Sequence, residues 1–129
     1  MIDGYRNLKV WQAGMEMCVL IYEITRDFPK SEAFCLVPQM RRAAASVPGN
    51  IAEGYARDRK AEFIRFLQIA KGSLSELGTY VDLSGRLGYL DATTATPVSQ
   101  KINALGGMLY NLIASVKQKQ MSECETLVT

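Results

Sequence analysis

Between Lys60 and Leu87 the chain keeps its longest unbroken helical rhythm. Phe63, Leu67, Ala70, Leu74, Leu77 and Val81 recur at three- and four-residue steps, and Arg65, Gln68, Ser75, Thr79, Asp82 and Arg86 take the other side. A helix with a single apolar stripe must lay that stripe against other apolar surface. This segment predicts a long amphipathic helix and a fold built from helices that can cover it.

Three further segments supply those helices. In the first, Leu8, Trp11, Met15, Cys18 and Tyr22 form one stripe, and Val10, Met17, Ile21 and Ile24 form a second beside it. Its polar residues, Lys9, Gln12, Glu16, Glu23 and Arg26, are confined to a narrow face, so this helix is expected to bury more than one side, Trp11 included. It should end in "RDFPKSE", because Pro29 disfavours helix at Phe28. The second helix is expected to start near Pro38 and to bury Met40, Ala44, Val47 and Ile51. A polar line, Gln39, Arg42, Ser46, Asn50, Glu53 and Arg57, runs parallel to that stripe, and "ARDRKAE" reads as the turn into the third helix. After "GYLDATTATP", a loop with cap-type residues, the fourth helix repeats Val98, Ile102, Leu105, Leu109, Leu112 and Val116. It fades into a frayed tail at 119–129. No segment alternates with period two. The expected fold is all-α, an antiparallel up-down four-helix bundle forming one domain over 1–129 with its core at about 8–118.

One stretch resists this reading. "AASVPGNIAEGYARDRK", from Ala44 to Lys60, is helical in pattern yet holds Pro48 and Gly49 side by side. In a helix interior proline costs about 3 kcal/mol and glycine about 1. Either the helix ends there, or the pair serves something other than helix propensity.

Composition removes several functions. Histidine is absent, which excludes Ser-His and Cys-His catalysis, histidine metal sites and Glu-x-x-His di-iron centres. The three cysteines, Cys18, Cys35 and Cys124, are too scattered for a zinc site and odd in number, so free thiols in a reducing cytoplasm are expected. No leader and no membrane span are expected. The adjacent glycines in "LGGML" lack the Gly-Lys-Ser/Thr ending of a phosphate loop and read as small residues for close helix approach. Glu53 and Glu76 are the remaining pair for acid–base chemistry, but each is expected to satisfy a neighbouring group inside the bundle. The chain is expected to be no enzyme, with no cofactor and no small-molecule substrate.

The net charge is only +2, but Arg41, Arg42, Arg57, Arg59, Lys60 and Arg65 concentrate around the second helix and its turn. Clustered cations can neutralise phosphates. Arg41, Arg57, Arg59, Lys60 and Arg65 are therefore the candidate nucleic-acid contacts, although Glu53, Asp58 and Glu62 are interleaved with them.

The ordered set Trp11-Gln12, Phe28-Pro29, Gln39 with Arg41-Arg42, the run Ser46 to Gly54, and Gly72-Ser73 with Glu76-Leu77 resembles the bacterial four-helix proteins named for intervening sequences of 23S ribosomal RNA genes. The resemblance spans about Leu8 to Val116. It implies a four-helix bundle assembling as a ring-like homopentamer. It also implies a remote likeness to the accessory variability protein of diversity-generating retroelements, whose partners are a reverse transcriptase and nucleic acid. The implied functions are an oligomeric scaffold for RNA or a nucleoprotein partner, or a protein-interaction bundle that binds no nucleic acid. In such a bundle Pro48 lies within the second helix and kinks it. Gly49 and Gly54 would admit another backbone. Trp11, Arg42, Ser46, Pro48, Asn50, Glu53, Gly54, Ser73 and Glu76 would be structural, with Ser46, Asn50 and Glu53 forming a packed polar joint. Helix one carries surplus apolar residues for one seam, namely Val10, Met17, Leu20, Ile21 and Ile24, and this predicts an oligomer.

Overall fold

The computed structural model describes residues 4–119. Four helices carry the fold: α1 (Lys9–Thr25), α2 (Leu36–Ala56), α3 (Lys60–Arg86) and α4 (Ala92–Gln118). Short 3-10 turns at Gly4–Asn7 and Lys30–Glu32 precede α1 and α2. The described residues contain no strand.

Each helix packs most on its neighbours in sequence, and α4 closes the circle onto α1 with the sparsest contact of the four seams. Residue pairings fix the directions. Gly54 meets Phe66, Ser46 meets Ser73 and Met40 meets Ser84, so α2 and α3 run antiparallel. Gly14 against Pro48 and Thr25 against Arg41 do the same for α1 and α2. Gly78 against Ile102 and Leu74 against Gly106 do it for α3 and α4. The bundle is four-cornered, with the α1/α4 face opposite the α2/α3 face.

All six residues of the α3 stripe are buried, as are Met40, Ala44, Val47 and Ile51 of α2. In α4 the buried line is Val98, Ile102, Leu105, Leu109, Ile113 and Val116, with Leu112 half-buried beside it. On α1 only one of the two stripes expected to be covered is buried along the helix. Val10, Gly14, Met17, Ile21 and Thr25 face the core, while Trp11 and Cys18 are half-buried and Met15 and Tyr22 are exposed. Trp11 is thus not fully buried; it packs edge-on against Tyr5 with ring centroids 5.5 Å apart. Val10, Met17 and Ile21, counted above as surplus, are core residues.

Helix ends explain the boundaries. Asp91 caps α4: its Oδ1 accepts the Thr94 amide at 3.0 Å and the Thr93 hydroxyl at 2.7 Å. That cap starts the helix at Ala92, so the stretch expected as loop up to Pro97 is mostly helical. The α3 terminus closes with Gly88 at φ 82 and with amides of Gly88 and Tyr89 on the carbonyls of Gly85 and Ser84. Glu32 ties the two links at this end together. It accepts the Leu36 amide at 3.3 Å and the Tyr89 hydroxyl at 2.7 Å.

Pro48 does not end α2; the helix runs through it. Its ring is buried against Gly14 of α1, where an added Cβ would lie 3.4 Å from the proline Cδ. Gly49 points at open space rather than at another backbone.

Candidate functional site

Two features stand out of the packed scaffold: the basic α2/α3 turn and the apolar outer side of α1.

At the turn, Asp58 takes a positive φ of 57° and the chain reverses within Arg57–Arg59. Arg57 pairs with Glu53 at 3.0 Å and lies 3.8 Å from Glu62. Arg65 donates to both Glu62 oxygens at 3.2 Å. Both guanidiniums also lie over the Phe66 ring, at 5.1 Å and 4.4 Å. The hydrogen bonds from Arg65 hold the Glu62 carboxyl below the usual carboxylate range, and attraction from Arg65, Arg57 and Arg59 adds to this. Two arginines therefore contact this carboxylate, and Arg59 attracts it from farther away. Among Glu53, Asp58 and Glu62 against Arg57, Arg59, Lys60 and Arg65, only one positive charge is left over.

Arg41 is not part of this cluster. It lies sixteen residues back along α2, about 24 Å at 1.5 Å per residue. Its guanidinium donates to Thr25 Oγ1 at 3.0 Å and to the Tyr22 carbonyl at 3.3 Å, and stacks over the Tyr22 ring at 4.5 Å. It closes the C-terminus of α1, where orphan carbonyls favour a cation.

The polar joint exists, but without Glu53. Ser46 Oγ and Ser73 Oγ are 2.8 Å apart across α2 and α3, and Asn50 Nδ2 donates to the Ser46 hydroxyl and carbonyl at 2.8 Å each. Glu53 is instead 54% exposed at its side chain and turns to Arg57 one turn on. Glu76 is exposed as well and accepts the Tyr80 hydroxyl at 2.8 Å. The two carboxylates considered for acid–base work face no common cavity and stand well apart along the bundle. Arg42 is exposed near Tyr80. Gly54 is the close-approach glycine: an added Cβ would lie 2.5 Å from Phe66 Cβ.

On α1, Met15 (42% exposed), Val19 (57%) and Tyr22 (44%) form an outward apolar line one or two helical turns long. Met15 and Val19 also line a groove of about 440 Å³ with Leu20, Glu16, Glu23 and Lys101 of α4. Two more depressions follow the same α1/α4 seam. Periodicity hides this exposed line, because both apolar stripes of α1 are equally eligible for burial.

The family described as 23S rRNA-intervening sequence protein matches residues 6–111. The chain belongs to this family. As a 23S rRNA-intervening sequence family protein it also shares its fold with a crystal structure of a protein of unknown function from the S23 ribosomal protein family of Bacteroides thetaiotaomicron. The TM-score is 0.73 at 22% identity, covering 81% of this chain and 97% of that one. No curated protein matches it. Among the described residues of this family member no group of acidic or cysteine side chains is placed to hold a metal ion, and no helix is long and apolar enough to cross a membrane.

Proposed function

We propose that this family member is a non-catalytic helical scaffold that assembles with copies of itself through its outer apolar surface. The observation that carries the reading is the exposure of Met15 and Val19 in the groove along the sparsely packed α1/α4 seam. Contiguous exposed apolar surface rimmed by polar residues marks an interaction site. The pentameric count follows from the family resemblance alone.

Between the two functions implied by that resemblance, the protein-interaction reading has more support than nucleic-acid binding. Arg41 closes a helix end, and Arg57 and Arg65 are held by Glu53 and Glu62. A nearly neutral turn gives a phosphate backbone little to release counterions against. Lys60 and Arg59 at the tip are what remains for an RNA or nucleoprotein partner, repeated once per subunit in a ring. Cys18 and Cys35 are unpaired thiols, which suits the reducing cytoplasm in which we place the scaffold.

Size-exclusion chromatography with light scattering tests the assembly. The wild type is expected as an oligomer, and Val19→Glu as a monomer with unchanged helical circular dichroism. A wild type that stays monomeric at micromolar concentration overturns the reading. RNA retained at low salt and lost on Arg59→Glu with Lys60→Glu would instead favour the nucleic-acid function.

A further inference from the structure

Lys119 closes α4 in an extended conformation, at φ −123 and ψ 162. Residues 120–129 lie outside the described residues, but their sequence carries a pattern. Met121, Cys124 and Leu127 recur at three-residue steps, with Val128 beside the last and Ser122, Glu123, Glu125 and Thr126 between. That is a short amphipathic stripe. It does not continue the core line of α4, which ends at Val116, five residues before Met121 and out of step with it. The stripe therefore needs apolar cover from elsewhere on the chain.

The cover within reach is the α1/α4 seam, the sparsest of the four. Next to Lys119 this seam opens into a depression of about 300 Å³, between the first turn of α1 and Met108 and Leu112 of α4. Both of these apolar side chains are only half-buried. Leu112 is seven residues back from Lys119, about 10 Å along the axis. Coiled as a helix, residues 121–128 span about 12 Å, and extended they span about twice that. The other exposed apolar patch, Phe34 with Leu83 and Leu87, sits at the far end of the 27-residue α4, about 40 Å away. Ten residues cover at most about 36 Å, so that patch is beyond them.

We propose that residues 121–128 fold back from Lys119 and cover the α1/α4 depression of their own chain as a strap. This is independent of the self-assembly reading, because it concerns a contact within one chain. The depression has room for the apolar side chains of the stripe, since a cavity of about 150 Å³ already accepts benzene. Charge agrees with the fit. Glu123 and Glu125 supply the only charges of 121–128, and Lys9 lines the depression and makes no ion pair among the described residues. Asn111 and Ser115 on the same rim offer partners to backbone groups that docking takes out of water. Docked, the strap shields Met108 and Leu112. Any partner that addresses this part of the seam must first displace it.

Cys124 provides a native probe inside the segment. In a chain with Cys18→Ala and Cys35→Ser, Asn111→Cys or Ser115→Cys places a second thiol on the rim of the depression. Mild oxidation with diamide is expected to give a within-chain disulfide in at least one of the two, seen as a faster-running monomer band without reductant. Gly49→Cys is the control. It is level with Asn111 but on the outer side of α2, diagonally across the bundle, and should link at least tenfold less. A glutamyl endopeptidase should cut after Glu123 and Glu125 at least tenfold faster in the Leu127→Asp, Val128→Asp double variant than in wild type, with unchanged circular dichroism. No within-chain link at 111 or 115, equal linking to 49, links formed only between chains, or equal cleavage of wild type and variant overturns the strap.

Discussion

Ser46 Oγ and Ser73 Oγ meet at 2.8 Å in the middle of the α2/α3 pair, and Asn50 Nδ2 reaches the same Ser46 oxygen from one turn on. Three short polar side chains thus close a network where the two longest-packed helices touch. Removing one member leaves partly buried partners unsatisfied, which costs about 1–3 kcal/mol. Ser46→Ala is expected to cost in that range by denaturant unfolding, and the Ser46→Ala, Ser73→Ala double variant less than the sum of the singles. Strict additivity would show that the hydroxyls do not depend on one another.

Glu53 gives the opposite expectation. Its carboxylate is exposed and pairs with Arg57 in a helix-surface geometry worth about 0.3–0.5 kcal/mol. Glu53→Ala should therefore leave unfolding midpoints almost unchanged. A loss above about 1 kcal/mol would return Glu53 to the polar joint.

The two glycines of the SVPGNIAEG run should part company. Gly54→Ala places a Cβ against Phe66 Cβ, where neither side can rotate away, and overpacking of this kind costs about 1–3 kcal/mol. Gly49→Ala meets nothing within 4 Å on the same helix and should add up to about 1 kcal/mol of stability through helix propensity. Thermal melts of the two single variants decide this, and equal shifts would refute it.

Asp58 sits at φ 57 just past the end of α2, the position where glycine is usual. Asp58→Gly relieves a left-handed conformation that costs a side-chain-bearing residue about 1 kcal/mol and should raise stability by up to that amount. A lower midpoint would mean that the Asp58 carboxylate contributes more than its backbone costs.

Acid should unfold the protein partly through two carboxyls. Hydrogen bonds from Arg65 lower the pKa of Glu62, and those from the Thr93 hydroxyl and Thr94 amide lower that of Asp91. A carboxyl with a depressed folded pKa contributes stability above its unfolded pKa, and that contribution is lost as pH falls through the folded value. Stability is expected to be level near neutral pH and to decline below about pH 4. Melting curves of Glu62→Gln and Asp91→Asn across that range should show shallower declines; slopes equal to wild type would assign the acid sensitivity elsewhere.

The α3 stripe was fully legible because one helix face was apolar and the other polar, leaving a single way to turn it. On α1 both sides were apolar, and periodicity has no means of ranking two such stripes. The deciding residues were Gly14 and Thr25, which belong to the core line but do not look apolar. Gly14 lies directly against the Pro48 ring, and Thr25 satisfies its hydroxyl on the Ile21 carbonyl at 2.7 Å. Arg41 was misplaced for a different reason. Adjacency to Arg42 in sequence says nothing of the helix length between it and Arg57, nor of an α1 terminus waiting to be capped. Glu53 has the spacing of the polar joint, but its longer side chain finds Arg57 on its own helix. Phe34, 94% exposed in the link between α1 and α2, has no periodic signal because it lies in no helix.

The buried ring of Pro48 and the missing side chain of Gly14 act on each other as a detent. A proline in a helix gives up one backbone hydrogen bond, yet here its rigid ring occupies the one notch that α1 offers. Sliding α1 along α2 by a turn would bring that ring up against Val10 or Met17 instead. The axial setting of the first two helices is therefore fixed by shape. The two positions form one unit: an alanine at 14 would only touch the ring, 3.4 Å from the proline Cδ, whereas anything larger would have to be answered at Pro48.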